Sequence, residues 1–308
     1  MEADALPEAY VGIDLGTSGV RACAIGKDRQ VLGEARVELE APDSPSPGWQ
    51  QQDPIRWRSA CEQVLDQLFH ERLFKPRAIS VDGTSGTLLL TGAEGEPASS
   101  ALMYNDRRAS VQAARLNGHA PPDSPVLSPA SALAKLLYLQ ESAAPGVMHA
   151  ASQAGWISAW LSGRHGISDE NNVLKLGYDP VKRRWPDWLQ DCLPNSGLLP
   201  EVVPVGAPIG ELTAPLRSRW QLHEPVKIIA GTTDSNAATL ASGIDEAGEA
   251  STALGSTLVL KVMSPQPVFA AEYGVYSHRL GDNWLVGGAS NSGGAVLRRY
   301  FDDAQLTQ

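Results

Sequence analysis

An α/β fold built from two related parts is what this 308-residue sequence predicts, and two observations carry it. Apolar strand patterns alternate along the chain with apolar patterns of helical period. A strand–turn–strand unit near the start, with the turn Leu15-Gly16-Thr17-Ser18, returns late in the chain as Leu254-Gly255-Ser256-Thr257. The length suits one large domain or two smaller ones, and the division is expected between 1–222 and 223–308.

The first strand is Val11-Gly12-Ile13-Asp14-Leu15, and Val20 to Ile25 forms the second. Gly16 and Gly19 between them permit close approach and positive φ, Thr17 and Ser18 offer hydroxyls and N–H groups, and Asp14 at the strand end suits Mg²⁺ held through water. Such a turn can hold a phosphate. On these residues alone, an ordinary β-hairpin explains the stretch equally well.

Val31–Leu39 continues the meander as a third strand, and the Pro/Ser/Gly-rich stretch 41–52 reads as a loop. Asp53-Pro54 then provides an N-cap and a proline at the first helical position; Ile55, Trp57, Cys61, Val64, Leu65 and Leu68 recur at helical spacing to about Phe74. Ala78 to Val81 is a short buried strand that ends in Asp82-Gly83-Thr84-Ser85-Gly86-Thr87.

Tyr104-Asn105-Asp106-Arg107-Arg108 precedes a helix from Ala109 to Leu116, although an Asp N-cap with two solvated arginines explains that cluster at least as well. Helices are expected over Ser131–Glu141 and Ser152–Leu161, the second with Trp156 and Trp160 in the core. Pro200 to Pro215 reads as a linker or domain edge. Beyond it, Val226–Ala230 is a strand, and Gly231-Thr232-Thr233-Asp234-Ser235 opens a small-residue helix, placing an acid at a helix N-terminus. The echo of the first turn at Gly255-Ser256-Thr257 matters, because two facing phosphate turns make a nucleotide cleft where one hairpin turn does not.

The net charge of −10 argues against a nucleic-acid surface and directs attention to small molecules. Cys23, Cys61 and Cys192 have no metal-ligand spacing and read as reduced core thiols. The first nine residues lack an apolar segment, and no apolar run approaches eighteen residues, so neither a signal peptide nor a membrane span is expected and the cytoplasm is the default location.

In order and spacing, Asp14-Leu15-Gly16-Thr17-Ser18, Asp82-Gly83-Thr84-Ser85, Tyr104-Asn105-Asp106-Arg107-Arg108, Gly231-Thr232-Thr233-Asp234-Ser235 and Gly255-Ser256-Thr257 resemble the FGGY carbohydrate kinases of the actin/hexokinase superfamily. The Asp82–Gly86 form is most similar to the D-ribulose and xylulose kinase branch.

The resemblance implies two ribonuclease-H-like domains with mixed sheets flanked by helices, closing over a cleft, the second of them incomplete. It implies ATP and Mg²⁺ as cofactors, Asp234 as catalytic base, and Thr84, Ser85, Asp106, Arg107 and Asp234 around the sugar. Asp14, Gly16, Thr17 and Ser18 would bind phosphate on one side and Gly255, Ser256 and Thr257 on the other, with Asp14 and Asp234 at the metal. The expected reaction is phosphorylation of a ketopentose, D-ribulose before D-xylulose or glycerol, at its terminal hydroxyl.

In the family the second domain continues past the position of Gln308, and a later Gly-Gly-rich turn holds adenosine. The expectation is therefore a chain cut short in that domain, with weakened ATP binding. A catalytically impaired sugar- or nucleotide-binding protein is the alternative. The partners expected are a sugar and ATP, with no nucleic acid and no membrane; homodimerisation is left open.

Overall fold

The computed structural model describes residues 6–254, 258–290, 296, 300, 301 and 305. β1 (Glu8–Leu15), β2 (Gly19–Ile25) and β3 (Val31–Glu38) form an antiparallel meander. Alternation along β1 sends Val11, Ile13 and Leu15 into the core and leaves Gly12 and Asp14 on the opposite face. β4 (Gln51–Gln52) leads to α1 (Pro54–His70), where the Ile55 N–H donates to the Asp53 side chain at 3.0 Å. The helix stops at His70, short of the expected Phe74. Arg72 takes a left-handed conformation (φ 50°), and by Lys75 the chain is already pairing as β5 (Lys75–Gly83), parallel to β1. Trp57, Cys61, Val64, Leu65 and Leu68 of α1 share one core with the inward residues of β1, β2 and β5.

β6 (Leu88–Thr91) and β7 (Ala101–Leu102) precede α2 (Ser110–Arg115), α3 (Ala132–Gln140) and β8 (His149–Ser152). These strands join β4 in a second sheet ordered β4-β7-β6-β8, and a separate core forms around Leu88, Leu90 and Leu102 with the apolar faces of α2 and α3. α4 (Gln153–Ser162) starts at the Ser152 cap and returns to the first core, where Trp156 meets Trp57 edge-on with ring centroids 6.4 Å apart.

β9 (Ile167–Asp169), α5 (Trp188–Cys192) and β10 (Glu201–Val203) come next, with β9 and β10 paired in parallel. β11 (Pro208–Glu211), α6 (Ala214–Arg219) and β12 (Lys227–Ile229) follow. The stretch 200–215 is thus not a linker but two strands and the start of a helix. Its prolines do not prevent this, because Pro208 opens an edge strand, where a missing N–H breaks no ladder.

β12 lies parallel beside β5 and completes a six-stranded sheet ordered β11-β12-β5-β1-β2-β3. The strand expected to open the second part of the chain is instead built into the first sheet. A three-residue apolar strand carries no mark of its partner, and here that partner lies about 150 residues earlier.

α7 (Asp234–Ala241) follows, and then β13 (Ala250–Leu254), β14 (Leu258–Ser264), β15 (Tyr276–Leu280) and β16 (Asn283–Ser290). These four strands make an antiparallel sheet ordered β13-β14-β16-β15. Asn171 ties that sheet to the rest. Its side chain accepts from the Arg279 N–H at 3.0 Å and donates to the Arg279 carbonyl at 3.1 Å and to Thr232 Oγ1 at 3.0 Å. Of the cysteines only Cys61 is fully buried, and its burial pushes the thiol pKa up; Cys192 is a half-buried free thiol packed against the second core, and Cys23 a half-buried free thiol on the outward face of β2, outside the core. Among the described residues no helix is long and apolar enough to cross a membrane.

Candidate active site

Three parallel strands end side by side, and each delivers an acid at or just after its C-terminal end. Asp14 of β1 and Asp82 of β5 are register partners. β12 leads to Asp234, the first residue of α7. A bridge between Gly83 and Thr233 draws the end of β5 against the start of α7. Gly231 makes the approach possible, because a Cβ there would sit 2.0 Å from the Val81 carbonyl oxygen. The outward face of β1–β3 beside these acids forms a groove of about 590 Å³ lined by Gly12, Asp14, Arg21, Glu34, Arg36 and Asp82 among others.

The carboxylates are not equivalent. Asp14 is half-exposed and accepts from Arg21 Nη1 at 2.8 Å. Asp82 is pushed up to about 8, first by burial and then by the charges of Asp14 and Asp234, and its Oδ1 is buried without a hydrogen-bond partner. Asp234 is also raised, chiefly by burial; the Ser235 N–H, donating at 2.7 Å, opposes this, Asp14 adds to it, and Lys175 and Lys261 reduce it. Like charges gathered at the C-terminal ends of parallel strands are a costly arrangement for a fold to keep without a cationic or protonic use for it.

The Gly16–Gly19 turn is closed by the Gly16 N–H donating to the Gly19 carbonyl at 3.0 Å. Neither glycine has a positive φ, contrary to the expectation from sequence. Close approach is what Gly19 serves, since a Cβ there would lie 2.8 Å from the Val37 carbonyl oxygen. The turn is held from behind by Gln52, whose Nε2 donates to the Thr17 carbonyl at 3.1 Å while its Oε1 accepts from the Trp57 indole at 2.9 Å. Ser18 is exposed and Thr17 half-exposed at the open side. The second expected phosphate turn, Gly255-Ser256-Thr257, lies outside the described residues.

Around the expected sugar pocket the structure redistributes roles. The Thr84 hydroxyl is engaged by Gln153 Oε1 at 2.7 Å and Thr87 Oγ1 at 2.6 Å, so it shapes the 82–87 turn. Ser85 is half-exposed, and its carbonyl faces Lys175 Nζ at 3.4 Å. Asp106 is fully buried and accepts from the Gln50 N–H, the Arg108 N–H and the Arg108 guanidinium. Arg107 is exposed; Arg108, with Trp49 stacked 4.0 Å from its guanidinium carbon, pairs with the Asp106 carboxylate. Asp106 does not cap α2 either, since the cap position is Ala109.

Three lysines escaped the sequence reading. Lys135 is fully buried in α3 and donates to the Gly86 carbonyl at 2.8 Å and the Met103 carbonyl at 2.6 Å, tying the 82–87 turn to the segment before Asp106. Lys175 and Lys261 converge on the ring of Tyr276. A lysine inside the apolar run Leu133-Ala134-Lys135-Leu136-Leu137 was the available signal for the first of them.

No three His, Cys, Asp or Glu side chains among the described residues form a metal cage. The carboxylates of Asp14 and Asp82, the latter with an Oδ1 that has no partner among the described residues, are oxygen donors of the kind Mg²⁺ takes, one or two at a time with water and substrate phosphates completing its shell. A smaller apolar cleft of about 200 Å³, lined by Phe69, Trp220 and Val226 among others, carries none of the convergent acids.

A family profile described as the FGGY family of carbohydrate kinases, N-terminal domain, matches residues 9–241. The chain is 24% identical over 287 residues to a xylulose kinase of Escherichia coli K12, covering 89% of this chain and 59% of that protein. It is 27% identical over 305 residues to a xylulose kinase of Lactococcus lactis, covering 93% of this chain and 58% of the relative. It superposes on the crystal structure of a xyloylose kinase from Brucella ovis with a TM-score of 0.87 at 28% identity, covering 95% of this chain and 63% of that one. The chain therefore spans about three fifths of the length of the proteins it matches.

Proposed function

Because the chain belongs to the FGGY family of carbohydrate kinases, we propose that it serves the transfer of the γ-phosphoryl group of ATP to the terminal hydroxyl of a ketopentose, D-ribulose, with Asp234 as general base. The observation that supports this most directly is the meeting of Asp14, Asp82 and Asp234 where β1, β5 and β12 end. Phosphoryl transfer needs positioning and charge neutralisation more than covalent help. A carboxylate with a raised pKa accepts the proton of an attacking hydroxyl more readily than an ordinary surface aspartate, and Asp234 has that character.

Asp14, half-exposed beside the Gly16–Gly19 turn, and Asp234 are the residues that would hold Mg²⁺ together with the phosphates. When bound, the ion neutralises charge on the transferred group. Thr17 and Ser18 present hydroxyl and N–H donors to phosphate, and Gln52 with Trp57 keeps their backbone in place. The 82–87 turn, braced by Gln153 and Lys135, orients the sugar against Asp234.

D-xylulose is the second reading, favoured by the xylulose kinases among the relatives. The two sugars differ only in the configuration of one hydroxyl, which a site of paired polar groups distinguishes. The test is Mg²⁺-dependent ATP consumption with D-ribulose, D-xylulose, L-ribulose, glycerol and no sugar. Turnover with D-ribulose above the others is expected. Preference for D-xylulose selects the second reading. Binding of sugar or nucleotide without turnover of any acceptor would identify a non-catalytic member.

A further inference from the structure

Lys175 and Lys261 come from distant parts of the chain, the turn after Asn172 and strand β14, yet their ammonium groups lie 5.6 and 5.9 Å from the centroid of the same ring, Tyr276. Lys261 is 4% exposed. Among the described residues neither lysine forms an ion pair with a carboxylate. Among the described residues Lys261 has the ring nitrogen His278 Nδ1 at 3.3 Å, and Lys175 has the Ser85 carbonyl at 3.4 Å. A buried ammonium without a counter-ion, as at Lys261, is expensive, and the half-exposed charge of Lys175 near it adds repulsion.

His278 sharpens the picture. An ammonium has only donors, so Nδ1 must be the acceptor in that contact and the ring proton sits on Nε2. The ring is 2% exposed, burial together with the two lysines holds it neutral, and Nε2 is buried without a partner. The cluster therefore offers two positive charges, while the His278 Nε2–H points away from Lys261 on the far side of the ring. Lys175 reaches the Ser85 carbonyl of the 82–87 turn at 3.4 Å, and Asp234 is within electrostatic reach of both lysines.

We propose that Lys175 and Lys261 form an anion-binding subsite for the phosphate oxyanion on the acceptor side of Asp234, holding the phosphoryl group as it transfers and the phosphate monoester that results. This rests on the kinase reading of the same site. In the step served, the bond from the γ-phosphorus to the β–γ bridging oxygen breaks and its electron pair leaves with ADP. A bond from that phosphorus to the sugar's terminal oxygen forms, and the hydroxyl proton passes to the Asp234 carboxylate. Both lysines stay protonated and carry no covalent role; they oppose charge on the equatorial oxygens.

The test compares wild type with Lys261→Met and with Lys175→Met, whose half-exposed position keeps the second variant foldable. Binding of inorganic phosphate, D-ribulose 5-phosphate and D-ribulose is measured by calorimetry, alongside kcat and KM. Each variant is expected to weaken phosphate and the phosphate ester by about tenfold or more, leaving neutral D-ribulose within about twofold and lowering kcat rather than raising KM. Equal loss of sugar and sugar phosphate would overturn the proposal, because the lysines would then be contacting hydroxyls. Unchanged phosphate binding in both variants would overturn it as well. A pentonate accepted by wild type in preference to the pentulose, with that preference lost in Lys261→Met, would assign the pair to an acidic acceptor and would also overturn it. Lysine-dependent binding of inorganic phosphate without turnover of any pentulose would instead count against the pentulose reading and leave the subsite standing.

Discussion

Asp14 and Asp82 face each other as register partners on the parallel strands β1 and β5, two carboxylates on one side of one sheet. Burial, followed by the charges of Asp14 and Asp234, raises the Asp82 pKa, and among the described residues its Oδ1 has no hydrogen-bond partner. Replacing Asp82 by Asn removes the repulsion while preserving shape. The ligand-free variant is expected to melt at a higher temperature than wild type, by the equivalent of about 1 kcal/mol, while phosphoryl transfer falls. A lower melting temperature would mean that the carboxylate is stabilising in a way the geometry does not contain.

Gly231 carries the approach of β12 to β5. In Gly231→Ala the new Cβ meets the Val81 carbonyl, so the strand must shift and take Thr233 and Asp234 with it. The expected cost is about 1–3 kcal/mol in denaturant unfolding, with kcat reduced more than stability alone explains. Wild-type kcat in a folded variant would contradict this placement of Asp234.

Trp57 acts on the phosphate turn through Gln52. In Trp57→Phe the indole donor to Gln52 Oε1 is lost, and the grip of Gln52 on the Thr17 carbonyl loosens. Stability is expected to drop by about 1 kcal/mol and KM for ATP to rise while KM for the sugar holds. An equal change in both KM values would place the effect in the core at large.

Lys135 gives a pH signature. Burial pushes its pKa down from 10.5 to about 7. A base depressed in the folded state costs the fold most below about pH 7, where it stays charged although buried, and nothing once both folded and unfolded states are neutral. Its contribution to stability therefore rises between about pH 7 and 10.5. Lys135→Met leaves the Gly86 and Met103 carbonyls unanswered and is expected to destabilise by about 1–3 kcal/mol per carbonyl. The gap in melting temperature between wild type and variant should widen from pH 7 to 9.5. A narrowing gap would contradict a buried, depressed ammonium.

Local signals were legible in the sequence. Asp53-Pro54, Ser131 and Ser152 start α1, α3 and α4 where their side chains cap the next turn, and the apolar spacing of Trp57 to Leu68 gives the buried face of α1. The positions of Asp14 near a strand end and Asp234 at a helix start were legible because a recognisable strand or helix carries each. What the sequence hid is long-range. That Arg108 pairs with Asp106 under the ring of Trp49 depends on a loop far upstream. That β12 joins β5 depends on Gly231 clearing the Val81 carbonyl. Lys175 and Lys261 look like stray surface charges until Tyr276 brings them together.

The central claim is that Asp234 takes the proton of the attacking hydroxyl, and Asp234→Asn tests it with the least disturbance, keeping the Ser235 N–H contact and the start of α7. Single-turnover transfer from ATP and equilibrium binding of D-ribulose are to be measured on the same preparations. Transfer lowered by about 10²–10⁴ with sugar binding retained is the predicted result. Transfer within a few fold of wild type would contradict the claim and require the base to lie elsewhere in the site.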